Sequence, residues 1–282
     1  MLFEILESVS VPGDPAKPND DAFAAEPVAA AVFDGATMVS ENLMPGKSDA
    51  AWIATFGARR LLSHLKDGDS PRAALRHALA DAERSFAGLR RRVPAAPHEL
   101  PLASMILAVP NETGFDALWY GDCAALVLRP GETAEVVGAA LAKRAGESAA
   151  AQRFLDETGL APVEALKREQ YLPLFRDGRA KVNTSAGDWL FSPVTAASEH
   201  VARARIAAPP GTLVLLSTDG FLALATSYGQ MTLDGLVEAA RDQGLRALAK
   251  ELRRIEDGDP EGRTYPRFKQ SDDATAVLLK LA

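Results

Sequence analysis

Residues 102–129 read LASMILAVPNETGFDALWYGDCAALVLR. Three apolar runs, 102–109, 115–120 and 124–129, follow one another with only short breaks between them. Asn111 and Gly114 mark a turn between the first two, and Gly121-Asp122 separates the second from the third. These are residue types that reverse a chain at little steric cost. The runs read as three strands that neighbour one another in sequence instead of alternating with helices.

Further apolar runs lie outside this block. Residues 28–33 (VAAAVF) stop at Asp34-Gly35, residues 211–217 (GTLVLLS) stop at Asp219-Gly220, and residues 274–281 (ATAVLLKL) follow Asp272-Asp273. Between them fall helical segments. Ser48 can cap a helix from Asp49 to about Leu65, with an acidic residue in its first turn. Ser70-Pro71 opens a second, with Leu75, Leu79, Ala82 and Phe86 on one face, which Arg90 to Arg92 end. Residues 139–170 read as a helix broken near Gly159 and Pro162, and 234–255 as another helix. Strands that cluster, with helices between the clusters, predict an α+β fold of mostly antiparallel sheets covered by helices. No Gly/Pro/Ser-rich linker divides the chain, so a single domain over 1–282 is expected.

Composition narrows the function classes. The 282 residues carry 31 Lys and Arg against 38 Asp and Glu, a formal charge of −7. A chain of this sign lacks the positive footprint that nucleic acid or an anionic membrane requires. Cys123 is the single cysteine, so no intramolecular disulfide and no cysteine-based zinc site can form, and it reads as a small buried residue. The N-terminal MLFEILESVSVPG carries Glu4 and Glu7 where a signal peptide would be basic, and no apolar run spans a bilayer. A cytoplasmic protein is expected.

The informative pattern is where the aspartates fall. Asp20 and Asp21, Asp34, Asp122, Asp219, and Asp272 with Asp273 all stand at the ends of apolar runs. Singly, each is a turn residue in a turn. Jointly, adjacent strand ends would bring several carboxylates together, and such a cluster repels itself unless a cation joins it. Oxygen ligands with no His or Cys among them suit magnesium or manganese.

In order, N-D-D-A (19–22), F-D-G (33–35), Y-G-D-C-A (120–124), S-T-D-G (217–220) and D-D-A-T (272–275) resemble the ordered motifs of the metal-dependent protein phosphatases of type 2C, the PPM family. The resemblance covers residues 14–282 and is that of a divergent, bacterial-type member. It implies a four-layer α-β-β-α sandwich and a binuclear manganese or magnesium centre. Carried over by motif, Asp34 would bridge two ions and the Gly35 carbonyl would bind one. Asp20, in place of the family's Glu, and Asp21 would flank the centre, Asp219 and Asp272 would complete it, and Asp122 would help hold a third ion. Asp34, Asp219 and Asp272 would be the catalytic ligands. The implied reaction is hydrolysis of phosphoserine or phosphothreonine in proteins by a metal-bridging water, by a monomeric enzyme.

The match departs from the family at four positions, one of them Cys123, which stands where Ser is usual. Ala16 stands where the family has a phosphate-gripping Arg, and neighbouring Lys17 offers a point charge in place of a planar fork. Asp20 is one methylene shorter than Glu. Ala36 stands where a His often follows the Asp-Gly. These changes motivate two alternatives on the same fold, a non-catalytic phosphoprotein-binding module and a small-molecule phosphomonoesterase. The segment 139–190, with Arg176, Arg179, Asn183 and Trp189, is where substrate contacts are expected. His64 and His77 read as helix-surface residues, and the four histidines show no metal-ligand spacing.

Overall fold

The structure, a computed structural model, describes residues 1–164 and 172–282. The end of the predicted 139–170 helix therefore lies partly outside the described residues. Ten strands form two five-stranded sheets, and every pairing is antiparallel. The first sheet has the order β1 (Phe3–Val11), β10 (Ala274–Leu281), β9 (Leu213–Ser217), β6 (Ala124–Leu128), β7 (Glu135–Val137). The second has the order β2 (Asp21–Glu26), β3 (Ala29–Gly35), β4 (Ala103–Pro110), β5 (Gly114–Tyr120), β8 (Ala202–Ala207).

The sheets pack face to face. Val32, Ile106 and Ala117 of one meet Val127, Leu216 and Val277 of the other in a shared core. Helices α1 (Asp49–Lys66) and α2 (Pro71–Leu89) cover the outer face of the second sheet, where Phe33 and Met105 pack with Ile53, Leu61, Leu75 and Leu79. Helices α5 (Asp219–Thr226), α6 (Leu233–Gln243) and α7 (Leu245–Gly258) cover the first, where Leu126, Leu215 and Leu278 pack with Leu236, Leu248 and Leu252. Helices α3 (Ala140–Thr158) and α4 (Leu172–Ala180) lie in the connection from β7 to β8. The four-layer α-β-β-α order explains why the central strands read as unbroken apolar runs. Both faces are buried, so no polar residue alternates in.

The three strands of residues 102–129 form as β4, β5 and β6, but the third crosses into the other sheet. The turn at Gly121-Asp122 therefore spans the sandwich. The predicted helix 234–255 is two helices. Gly244, at φ +90°, breaks it, and the Leu245 N–H that begins α7 donates to Glu7 Oε2 at 2.7 Å. That left-handed backbone is open to Gly and strained for other residues. Six elements were not expected: β1, β2, β7, β8, α4 and α5. The four strands among them are the sheet edges, where one strand side has no partner to bury it.

Candidate metal centre

The aspartates converge at one end of the sandwich because each follows or precedes a strand there. Asp21 opens β2 and is the direct cross-strand partner of Asp34 on β3. Asp122 sits in the turn from β5 to β6, Asp219 opens α5 after β9, and Asp272 precedes β10. The register of β9 and β10 sets the last two side by side, with Ser217 opposite Ala276.

Local hydrogen bonds lock these positions. Thr218 Oγ1 accepts the Thr275 N–H at 3.0 Å and donates to Asp21 Oδ2 at 2.9 Å, which ties the two sheets together at the cluster. Asp273 accepts the Gly13 N–H at 2.7 Å and the Asp20 N–H at 2.6 Å, so it fixes the loop that carries Asp20. Asn19 Oδ1 accepts the Asp21 N–H at 3.0 Å. Asp20 itself takes the hydroxyl proton of Ser48, and Ser48 also caps α1 by accepting the Ala51 N–H at 3.1 Å. The N-terminus of α1 is therefore bonded to the cluster. Gly35 is required by close approach. A Cβ there would collide with the backbone oxygens of Asp20 and Ala50.

The electrostatics match a site built for cations. Burial, then the facing charges of Asp21, Asp219, Asp122 and Asp272, push the Asp34 carboxyl well above the usual range. Burial, then Asp272 and Asp273, do the same to Asp21. Asp219 is pushed up to about 7, by burial first and then by Asp122 and Asp272, against the pull of Arg144. Burial also raises Asp20, which Ser48 partly offsets. Among the described residues, neither the Asp34 nor the Asp122 carboxylate has a hydrogen-bond or ion-pair partner. Half-buried carboxylates without partners, in an all-oxygen donor set, fit a hard divalent ion. Asp21, Asp34, Asp122, Asp219 and Asp272 thus lie close enough to act on one another's charge, and Asp20 is linked to them through Asp273.

Two cations enter this cluster that the sequence did not single out. Arg144, from α3, donates to Asp219 Oδ2 at 3.0 Å and to Ser227 Oγ at 2.6 Å. Lys269 donates to Asp272 Oδ1 at 2.7 Å. Burial alone would raise the Asp272 carboxyl, but Lys269, and after it Arg144, hold it below the usual range. The cluster is therefore split. Its Asp219–Asp272 side is neutralised by the chain, and its Asp21–Asp34 side is not.

Lys17 lies elsewhere. It is exposed, ion-paired with Asp14 at 3.5 Å, and lines a groove of about 710 Å³ with Ala16, Lys47, Ser48, Trp52 and Arg59. The groove meets the cluster at Ser48. Of the residues expected to touch substrate, Arg176 donates to the Val39 carbonyl at 3.0 Å, Asn183 bonds Ser192 at 2.6 Å, and Trp189 stacks on His200 with ring centroids 3.5 Å apart. Arg176 thus ties α4 to the loop after β3, and the other two contacts brace the segment 183–200. Cys123 is fully buried, as expected.

A family model, protein phosphatase 2C, matches residues 15–254. The chain belongs to the protein phosphatase 2C family. Phosphatase 2C members are metal-dependent serine/threonine protein phosphatases. Solved structures share the fold over the whole length. The serine/threonine phosphatase PstP/Ppp of Mycobacterium tuberculosis is 17% identical, with a TM-score of 0.58 over 100% of this chain and 99% of that one. The catalytic domain of PstP in complex with two manganese ions is 15% identical, with a TM-score of 0.52 over 99% of this chain and 98% of that one. The PPM phosphatase MsPP of Mycobacterium smegmatis, in complex with cacodylate, is 14% identical, with a TM-score of 0.55 over 99% of both. No curated protein sequence matches this phosphatase.

Proposed function

We propose that this phosphatase hydrolyses phosphoserine and phosphothreonine in proteins at a centre held by Asp20, Asp21, Asp34, Gly35, Asp219 and Asp272, with Asp122 available to a further ion. The observation that carries the reading is the set of carboxylates from both sheets that surround Asp34 and raise its pKa. Manganese or magnesium, bound there, would supply Lewis-acid neutralisation of the phosphoryl oxygens and a water acidic enough to ionise near neutral pH.

The chain's own part is positioning and charge. Asp21 and Asp34 hold a fixed geometry because they are register partners, and Thr218 and Asp273 brace their neighbours. Ala16 and Ala36 remove two residues the family uses. Arg144 replaces the first: its guanidinium already lies at the cluster and can pass from Asp219 to a phosphoryl oxygen, as Lys269 can from Asp272. Nothing replaces the second. Among the described residues no imidazole bonds any of the cluster carboxylates, so water would have to protonate the departing alkoxide. The groove past Ser48, with Lys17, Lys47 and Arg59 on its walls, would carry the flanking peptide. No helix among the described residues is long and apolar enough to cross a membrane.

The test is hydrolysis of p-nitrophenyl phosphate and of a phosphothreonine peptide in manganese, in magnesium and in EDTA, with Asp219→Asn as control. Metal-dependent turnover that EDTA and the substitution both abolish supports the reading. A folded protein that binds manganese and turns over neither substrate makes it a phosphoprotein-binding module. Faster turnover of small phosphates than of phosphopeptides makes it a phosphomonoesterase.

A further inference from the structure

The α1–α2 hairpin closes a second constellation, on the far side of the second sheet from the sandwich core. His64 lies in the last turn of α1, Asp69 in the connecting turn, and His77 in α2. The turn is fixed: the Asp69 N–H donates to the His64 carbonyl at 3.1 Å, and Ser70 caps α2 by accepting the Ala73 N–H. The fold thereby sets His77 Nδ1 2.6 Å and His64 Nδ1 3.6 Å from the same oxygen, Asp69 Oδ2. The three ligand atoms lie within 4.8 Å of one another. The expectation of a plain helix-surface residue is corrected for His64, whose side chain is only 18% exposed, whereas His77 stays at the helix surface, with its ring 5.4 Å from that of His64.

We propose that His64, Asp69 and His77 bind a divalent transition metal of the zinc class. Two imidazole nitrogens and one carboxylate oxygen are a donor set that suits zinc and not the hard ions of the phosphatase centre. The tautomer of His64 is set for it. Its Nε2 lies 2.9 Å from Asp81 Oδ2. Asp81 is kept ionised by Arg60 and Arg84, which also bond it. A carboxylate there takes the Nε2 proton, which leaves Nδ1 with a free lone pair towards Asp69 and His77. The 3.6 Å from that Nδ1 to Asp69 is too long for a hydrogen bond, so the lone pair has no partner within the hairpin.

The spacing is close to what a metal needs. Bonds of about 2.0–2.1 Å in a tetrahedral site put ligand atoms about 3.3 Å apart. The His64–Asp69 separation of 3.6 Å is already near that. The His77–Asp69 pair must open by less than about 1 Å, and the 43% exposure of the His77 side chain leaves room for that rotation. The fourth position faces solvent and takes water. Such an ion would clamp the α1–α2 hairpin, whose far end carries Ser48 against Asp20.

The experiment is calorimetric titration of the full chain with zinc in saturating magnesium, which fills the all-oxygen centre, together with visible spectroscopy of cobalt as a zinc surrogate. The expected result is one zinc equivalent, a rise in Tm on adding it, and the absorption of tetrahedral cobalt. All three should be lost in His64→Ala and in His77→Ala. Retained magnesium-dependent turnover in His77→Ala, whose side chain is largely exposed, shows that the loss is not misfolding. Zinc binding that persists unchanged in both variants, or no zinc binding in the wild type, overturns the proposal.

Discussion

Asp21 and Asp34 face each other directly across the β2–β3 pair, two carboxylates at one register position. Like charges placed so are destabilising by roughly 0.2–1 kcal/mol in an exposed sheet, and by more where burial raises both pKa values. The metal-free hairpin is thus strained by its own function. Asp34→Asn should relieve the repulsion and raise the Tm of the metal-free protein by about 2–4 °C, the shift expected for roughly 1 kcal/mol at this size. The same variant should lose manganese-dependent turnover by at least about 100-fold, since even a residue behind a metal ligand costs 10–100-fold. Calorimetric scans in EDTA and turnover in manganese check the two halves separately.

Arg144 and Lys269 are ion-paired with Asp219 and Asp272, oxygens that an ion bound at the proposed centre would also need. Removing either cation should therefore tighten manganese binding while weakening substrate binding. In Arg144→Ala and Lys269→Ala, the KM for p-nitrophenyl phosphate should rise about 10- to 100-fold, the worth of a charge-assisted hydrogen bond. Manganese affinity by calorimetry should increase in the same variants. A purely structural role would weaken both, so the opposite signs are the discriminating result.

How far these sites can be read in sequence follows from the range of each interaction. The aspartates at 34, 122, 219 and 272 stand out because each ends an apolar run, and the run and its turn are local. Arg144 is 75 residues from Asp219 and lies on an Ala-rich helix with no clear apolar face, so nothing marks it. His64, Asp69 and His77 straddle a turn, where helical spacing rules stop applying, and only the packing of α1 on α2 brings them together. The sheet to which β6 belongs was equally hidden. The apolar run looks the same on either side of Gly121-Asp122, and only pairing with β9 decides.

Ala16 lines the groove one residue from Lys17, with room for a longer side chain. Ala16→Arg should restore a planar fork for phosphate and lower KM about tenfold, or about 1.4 kcal/mol. Lys17→Ala should raise KM by less than about threefold, because an exposed charge paired with Asp14 contributes under about 1 kcal/mol. Steady-state kinetics on p-nitrophenyl phosphate compare the two directly. An effect of Lys17→Ala as large as that of Arg144→Ala would return phosphate capture to Lys17.

The loop that follows Asp34-Gly35 is held from outside the centre. Arg92 donates to Glu41 at 2.7 Å and to Glu99 at 2.8 Å, and the Arg91 N–H donates to the Leu43 carbonyl at 2.8 Å. Glu99 also accepts the Ala95 N–H at 2.6 Å. Arg92, against the cost of burial, holds the Glu99 carboxyl down at about 2. Its ordinary value is about 4.3. The unfolded chain therefore takes up a proton between these values that the folded chain refuses, so the contribution to stability is complete above about pH 4.3 and fades as pH falls towards 2. Glu99→Gln should lower Tm at pH 7 and flatten the fall in Tm between pH 5 and about pH 3. Because the pair anchors the loop that leads to Ser48 and Asp49, the variant should also raise the manganese concentration needed for half-maximal turnover at pH 7. Thermal scans across pH and a metal titration of activity test the two consequences; an unchanged pH slope would mean that the Arg92–Glu99 pair does not persist in solution.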